Sequence, residues 1–176
     1  MKIRKPIINR DELKESAFVE LPTIDLYEAL VKGGSLDGKN IDEIKINESV
    51  LSNISLQSSK IEEIKITDSI LDAINFAGAT SNQTYFERVI INKSRFQGTQ
   101  LMGFVANDVV IDKSKCTDVS FRFSKIKNMV FLDCDLDNAD FMGASLENVI
   151  FRNSSLKNSQ FSQTKLKNVS FKEANI

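Results

Sequence analysis

The sequence predicts an all-β fold, a parallel β-solenoid of about seven 20-residue coils with an N-terminal cap, and three observations predict it. A large apolar residue recurs every five positions, a turn-forming residue often follows it by two places, and one outward position carries a longer period of 20.

The five-residue period comes first because it sets the core. From Leu36 to Ile176 each fifth residue is large and apolar, through Ile41, Ile46, Leu51 and Phe76 to Phe161 and Phe171, and only Ser81, Ala106 and Cys116 depart. The register holds across the whole span, so no loop is inserted in it. Two places before these positions the side chain is usually small or β-branched, as at Ser49, Ala79, Ser94, Ala144 and Ser154. Each unit of five therefore sends one large and one small side chain inward.

The corners follow. Asn53, Asp68, Gly78, Gly98, Asp118, Asn128, Asn138 and Gly143 stand two places after a large residue, and these residue types accept left-handed dihedrals. A helix repeats at 3.6 and a simple strand at 2, so a period of five with a turn residue describes a short extended piece and then a bend.

The size of one coil is read from the outward residue just before each large position. Val50, Ile70, Ile90, Val110, Val130 and Ile150 are β-branched and spaced by 20, whereas intervening outward residues such as Lys60, Lys65, Asn75, Lys115, Lys125 and Gln160 are polar. Four units complete one coil. The six β-branched residues form a candidate interaction stripe, because continuous apolar surface marks partner or dimer sites, although β-branched residues are also favoured on any strand. Met102, Phe123, Leu132 and Met142 either extend that stripe or stand as isolated exposed hydrophobes. Inside, the same period stacks Phe131, Phe151 and Phe171, and also Leu136, Leu156 and Ile176.

Residues 1–18 do not follow the repeat and are expected to form the N-terminal cap, which keeps an open solenoid end from pairing with other chains. Residues 19–176 are assigned to the β-helix, with the repeat secure from 36. Over 19–35 two readings stand. Leu21, Leu26 and Val31 keep the register, while the run from Asp25 to Gly34 also reads as a short helix ending at Gly33. At the other end the repeat reaches Ile176 with no cap, which leaves a truncated chain or a second subunit covering the last coil.

The exceptions inside the ladder read as packing. Ala106 sits in a large slot beside Phe104 in a small one, an exchange that conserves volume. Ser81 is expected to mark a local irregularity or a buried water, and Cys116 and Cys134 to be buried free thiols. The chain has no histidine, no glycine-rich phosphate loop and no paired metal-ligand motif, so no catalytic residue, cofactor or metal site is expected. The acidic set Asp133, Asp135, Asp137 and Asp140 reads as solvated corner residues.

The stretches Asp72-Ala-Ile-Asn-Phe76 and Asn138-Ala-Asp-Phe141 carry a resemblance to the pentapeptide repeat family, whose unit is a small residue, Asp or Asn, then Leu or Phe and two more. The resemblance covers at least residues 36–176. It implies a right-handed quadrilateral β-helix, and it implies that the chain is a binding module and not an enzyme. Some members of the family resemble DNA in size and charge, bind type II topoisomerases such as gyrase and protect them from quinolones. That is the alternative function. Those members are strongly acidic, whereas here 23 basic residues face 24 acidic ones for a formal net charge of −1, and no arm is charged enough to imply nucleic acid.

The expected function is therefore protein interaction or scaffolding, with a protein partner or self-association, no direct nucleic acid and no membrane. A homodimer through the Val/Ile face or the C-terminal coil is the specific expectation. No leader-like apolar run follows the basic start, no stretch reaches the ~18 apolar residues of a membrane span, and the two cysteines make no disulfide framework. A bacterial cytoplasm is the expected setting.

Overall fold

The computed structural model describes residues 2–176, and every regular element among them is a β-strand. The strands are β1 (Lys14–Ser16), β2 (Thr23–Tyr27), β3 (Ala29–Ser35), β4 (Asn40–Asn47), β5 (Val50–Ser55), β6 (Lys60–Asp72), β7 (Thr80–Asn92), β8 (Val105–Asp112), β9 (Lys125–Leu132), β10 (Ser145–Arg152) and β11 (Lys165–Lys167). They pair in parallel within one sheet that wraps around the molecule. From β2 onward each residue pairs with the one 20 places later, as in Val50 with Ile70, Ile90, Val110, Val130 and Ile150. Twenty residues per coil and about seven coils are thus the geometry of a right-handed four-sided β-helix. From β8 to β10 two sides of each coil are strands. The other two are single bridges, such as Asn75 to Arg95 to Lys115 and Gln100 to Ser120 to Asp140.

Residues 19–35 follow the repeat. Strands β2 and β3 take up most of that span, with Ile24, Leu26, Ala29 and Val31 buried as inward pairs, so the strand reading holds and the helix reading does not.

The corners fall where the five-residue register places them, at Asn, Asp and Gly and equally at residues such as Ala73, Arg88, Lys113 and Phe123. All non-glycine residues with positive φ, Asn53, Asp118, Asn138 and Asn158 among them, lie two places after a position of the inward five-residue series. One corner behaves differently in the early coils. Positions 43, 63 and 83 hold Glu, Glu and Gln, none of them has positive φ, and β4, β6 and β7 run straight through. In the later coils the same column turns, with positive φ at Gly103, Phe123, Gly143 and Gln163.

The core is a set of ladders. Phe131 stacks on Phe151 at 5.1 Å and Phe151 on Phe171 at 5.2 Å, while Phe141 stacks on Phe161 at 5.0 Å, all within 7° of parallel. The two Phe columns meet edge to face, the arrangement favoured by the ring quadrupole. Phe104 and Ala106 are both buried, and the Phe104 ring lies between Phe86 and Phe121.

The small inward slots hold a polar ladder as well. Ser94 accepts the Ile74 N–H and donates to the Asn92 carbonyl, and Ser114 accepts the Ser94 N–H and donates to the Asp112 carbonyl. Cys134 continues the column, its thiol 3.3 Å from the Leu132 carbonyl, and Ser154 accepts its N–H. A buried hydroxyl that both accepts and donates carries no desolvation penalty, which explains serine in slots that otherwise hold alanine.

The first coil is shortened. β1 pairs with β3 at an offset of fifteen residues, Lys14 facing Ala29. The chain then crosses the end of the helix, and Phe18 turns inward against Gly34. A Cβ on Gly34 would lie 2.8 Å from the Phe18 Cβ, so the plug needs glycine at that point. Residues 4–7 run along the side of the coils and not over the end: the Arg4 and Ile7 N–H groups donate to Asp108 and Asp68.

Candidate interaction surfaces

The stripe is continuous in space. Val50, Ile70, Ile90, Val110, Val130 and Ile150 are direct register partners, the column begins one coil earlier at Leu30, and Ser170 ends it. Each of the seven apolar residues is half-buried. At the ~4.8 Å strand spacing the column is about 29 Å long. The other outward columns are mostly polar, for example Lys45, Lys65 and Lys125 on one side and Asn75, Arg95 and Lys115 on another.

Leu132 sits at the end of β9, beside the stripe. Met102, Phe123 and Met142 lie at a different corner, the one that precedes β8, β9 and β10, and do not extend it. Met102 and Phe123 are exposed. The Phe123 ring lies over Gly143 in the next coil, where a Cβ would come within 2.6 Å of it, and the Arg122 guanidinium stands 5.7 Å from the ring centroid. The last coil presents more apolar surface, with Leu166 50% and Ile176 76% exposed.

A charged corner was not singled out in the sequence. Position 28 and its successors at intervals of 20 are Glu28, Glu48, Asp68, Arg88, Asp108, Asn128, Asn148 and Asn168, and all have positive φ. Arg88 holds Asp68 with two hydrogen bonds of 2.7 and 2.6 Å and also pairs with Glu87, which accepts the Tyr85 hydroxyl. Burial opposes ionisation of Asp68, yet the Arg88 guanidinium, the Ile7 N–H and the nearby Arg4 charge outweigh it and hold the carboxyl below the usual range. Beyond Asp108 the column changes to amides that bond to each other, Asn148 to Asn128 at 2.9 Å and Asn168 to Asn148 at 3.0 Å. The signal was legible as a switch from carboxylate to amide along one 20-residue column, which a five-residue reading merges with the other corners.

The interior offers little space. The void beside Phe18, Ile44 and Leu51 is about 10 Å³, the lower limit for one water. The Ser81 hydroxyl donates to the Gln83 carbonyl at 3.0 Å. Asp135, Asp137 and Asp140 accept N–H groups of turn or neighbouring-coil residues, and Asp140 also meets Arg122 at 3.3 Å. Cys116 and Cys134 are buried free thiols. Burial pushes both thiols up, Cys134 to about 12 and Cys116 well above its ordinary value.

Comparison with known proteins adds the following. A family model described as pentapeptide repeat region matches residues 108–176. No curated protein matches the sequence. Solved structures that are similar include a pentapeptide repeat protein, Rfr23, from the cyanobacterium Cyanothece 51142, at 17% identity and a TM-score of 0.49 over 52% of this chain and 63% of that one. A pentapeptide repeat protein from the Arabidopsis thaliana thylakoid lumen aligns at 22% identity and a TM-score of 0.43, over 53% of this chain and 65% of that one. This chain thus spans less than two thirds of either. QnrB1, a plasmid-mediated fluoroquinolone resistance protein, aligns at 16% identity and a TM-score of 0.39, covering 78% and 79% of the two chains. The unbroken five-residue period and the parallel coil of 20 residues make this chain a β-helix built on a five-residue repeat, and its part from residue 108 to 176 matches the pentapeptide repeat region model.

Proposed function

We propose that the protein is a non-catalytic interaction or scaffolding module that binds a protein partner, or a second copy of itself, through the Leu30–Ile150 column. The observation that carries the proposal is the register: seven half-exposed apolar residues stack on one side of the helix while the other outward columns are mostly polar. An apolar run of that length matches the surfaces through which proteins associate. A reducing cytoplasmic setting belongs to the same proposal and is supported by two buried free thiols. Mimicry of duplex DNA draws no support from a net charge of −1.

The test compares wild type with the double variant Val110→Lys, Val130→Lys in affinity capture and light scattering. A partner, or a dimer mass, present for wild type and lost for the folded variant is the expected result. The same captured set and the same mass for both proteins would remove the column from the function.

A further inference from the structure

The N-terminal segment is held by side chains of the corner column and not by sheet pairing. The Arg4 N–H and Nε donate to the two Asp108 oxygens at 3.1 and 2.6 Å, Arg4 Nη2 reaches Glu87 at 3.5 Å, and the Ile7 N–H donates to Asp68 at 3.0 Å. Three residues thus span two coils, about 10 Å at the strand spacing, which is close to full extension. The two sides of this contact are unequal. Asp108 is 1% exposed and fixed at a corner, while the Arg4 side chain is 55% exposed. Asp68 is oriented by Arg88 independently of the segment, so that acceptor is built into the coils before anything lies on it, while the Asp108 carboxylate takes its hydrogen bonds from Arg4. The column is carboxylate-bearing only as far as the segment reaches and becomes a self-bonded amide ladder beyond Asp108.

We propose that this corner is a recognition site for an extended peptide segment bearing an arginine, and that residues 2–8 are its tethered occupant. Asp108 and Glu87 read the guanidinium with the adjacent N–H, and Asp68 reads a main-chain N–H three residues on. The contacts use one side chain and two backbone groups of the ligand, so a segment of another protein with arginine in that place satisfies the same acceptors. The tethered segment lowers the apparent affinity for such a peptide by the fraction of time it occupies the site.

The test uses the full chain with Arg4→Glu, which places a carboxylate against Asp108 and Glu87 and releases the segment, and a fluorescent peptide covering residues 2–10 as the probe. Fluorescence anisotropy is expected to show binding to the variant, at least about tenfold weaker binding to wild type, and at least about tenfold weaker binding of the peptide carrying Arg4→Ala. A folded variant that does not bind, or that binds both peptides equally, overturns the proposal. Should the variant not fold, amide exchange of wild type decides. Arg4 and Ile7 amides exchanging much faster than those of β7 and β8 support a detachable occupant, and exchange at the rate of those strands makes the segment a permanent clamp and refutes it.

Discussion

Replacing Phe151 with alanine tests whether the ladder carries the stability of the helix. The ring is fully buried, stacked between Phe131 and Phe171 and edge-on to Phe141 and Phe161. Phenylalanine truncation in a packed core costs about 3–5 kcal/mol, and the aromatic pairs place this site at the upper part of that range. With a urea m-value of about 2.5 kcal/mol/M, a 4 kcal/mol loss lowers the midpoint by about 1.6 M. Because each coil touches only its neighbours, the loss begins in the coils around the cavity. Urea titration by circular dichroism gives the magnitude, and hydrogen exchange gives the place. Amides of β10 and β11 should lose protection while those of β3 and β5 keep it. A midpoint shift below about 0.4 M, roughly 1 kcal/mol, or uniform loosening along the rod, would refute the ladder reasoning.

Four further outcomes are expected. Gly34→Ala forces a Cβ to within 2.8 Å of Phe18 at a φ of +144°, so it should cost about 2 kcal/mol and lower Tm by about 6 °C in a thermal melt. Cys134→Ser should be nearly neutral in urea because serine already fills its column, while Cys116→Ser puts a hydroxyl into a large apolar slot and should cost about 1–3 kcal/mol. Both thiols, buried and pushed up, should react with a thiol reagent only in denaturant, which a native-state labelling time course checks. Asp68 has its native value lowered from 3.8, so its contribution is complete above the unfolded value and declines as the pH falls through the lower native one. Protection of the Ile7 amide should therefore hold at neutral pH and fall away below about pH 4 in an exchange titration.

The coil was legible because three physical demands repeat with it: a large side chain to fill the interior, a small one to let the chain turn inward, and a left-handed corner. Phe131, Asn138 and Ala144 each satisfy one of them locally, so the sequence displays them at fixed spacing. The stripe was legible for the same reason, since Val110 and Val130 share one outward column. The N-terminal segment was not legible. Its position depends on single contacts between Arg4 and Asp108, 104 residues apart, and no periodicity links them. Phe18 was missed as the plug because it stands out of register with the ladder it closes. The two readings left for residues 19–35 had the same cause, for the run around Leu30 satisfies helical spacing and the five-residue period together, and pairing of β3 with β5 decides between them.

The most direct test of the interaction column places a photo-crosslinking amino acid at Val130 and, in a second protein, at Lys115 on a polar side. Irradiation in cell extract and at high concentration of the pure protein should yield discrete crosslinked products from position 130 and none from position 115. Equal products from both positions, or products from 115 alone, would contradict the assignment of the apolar column as the working surface.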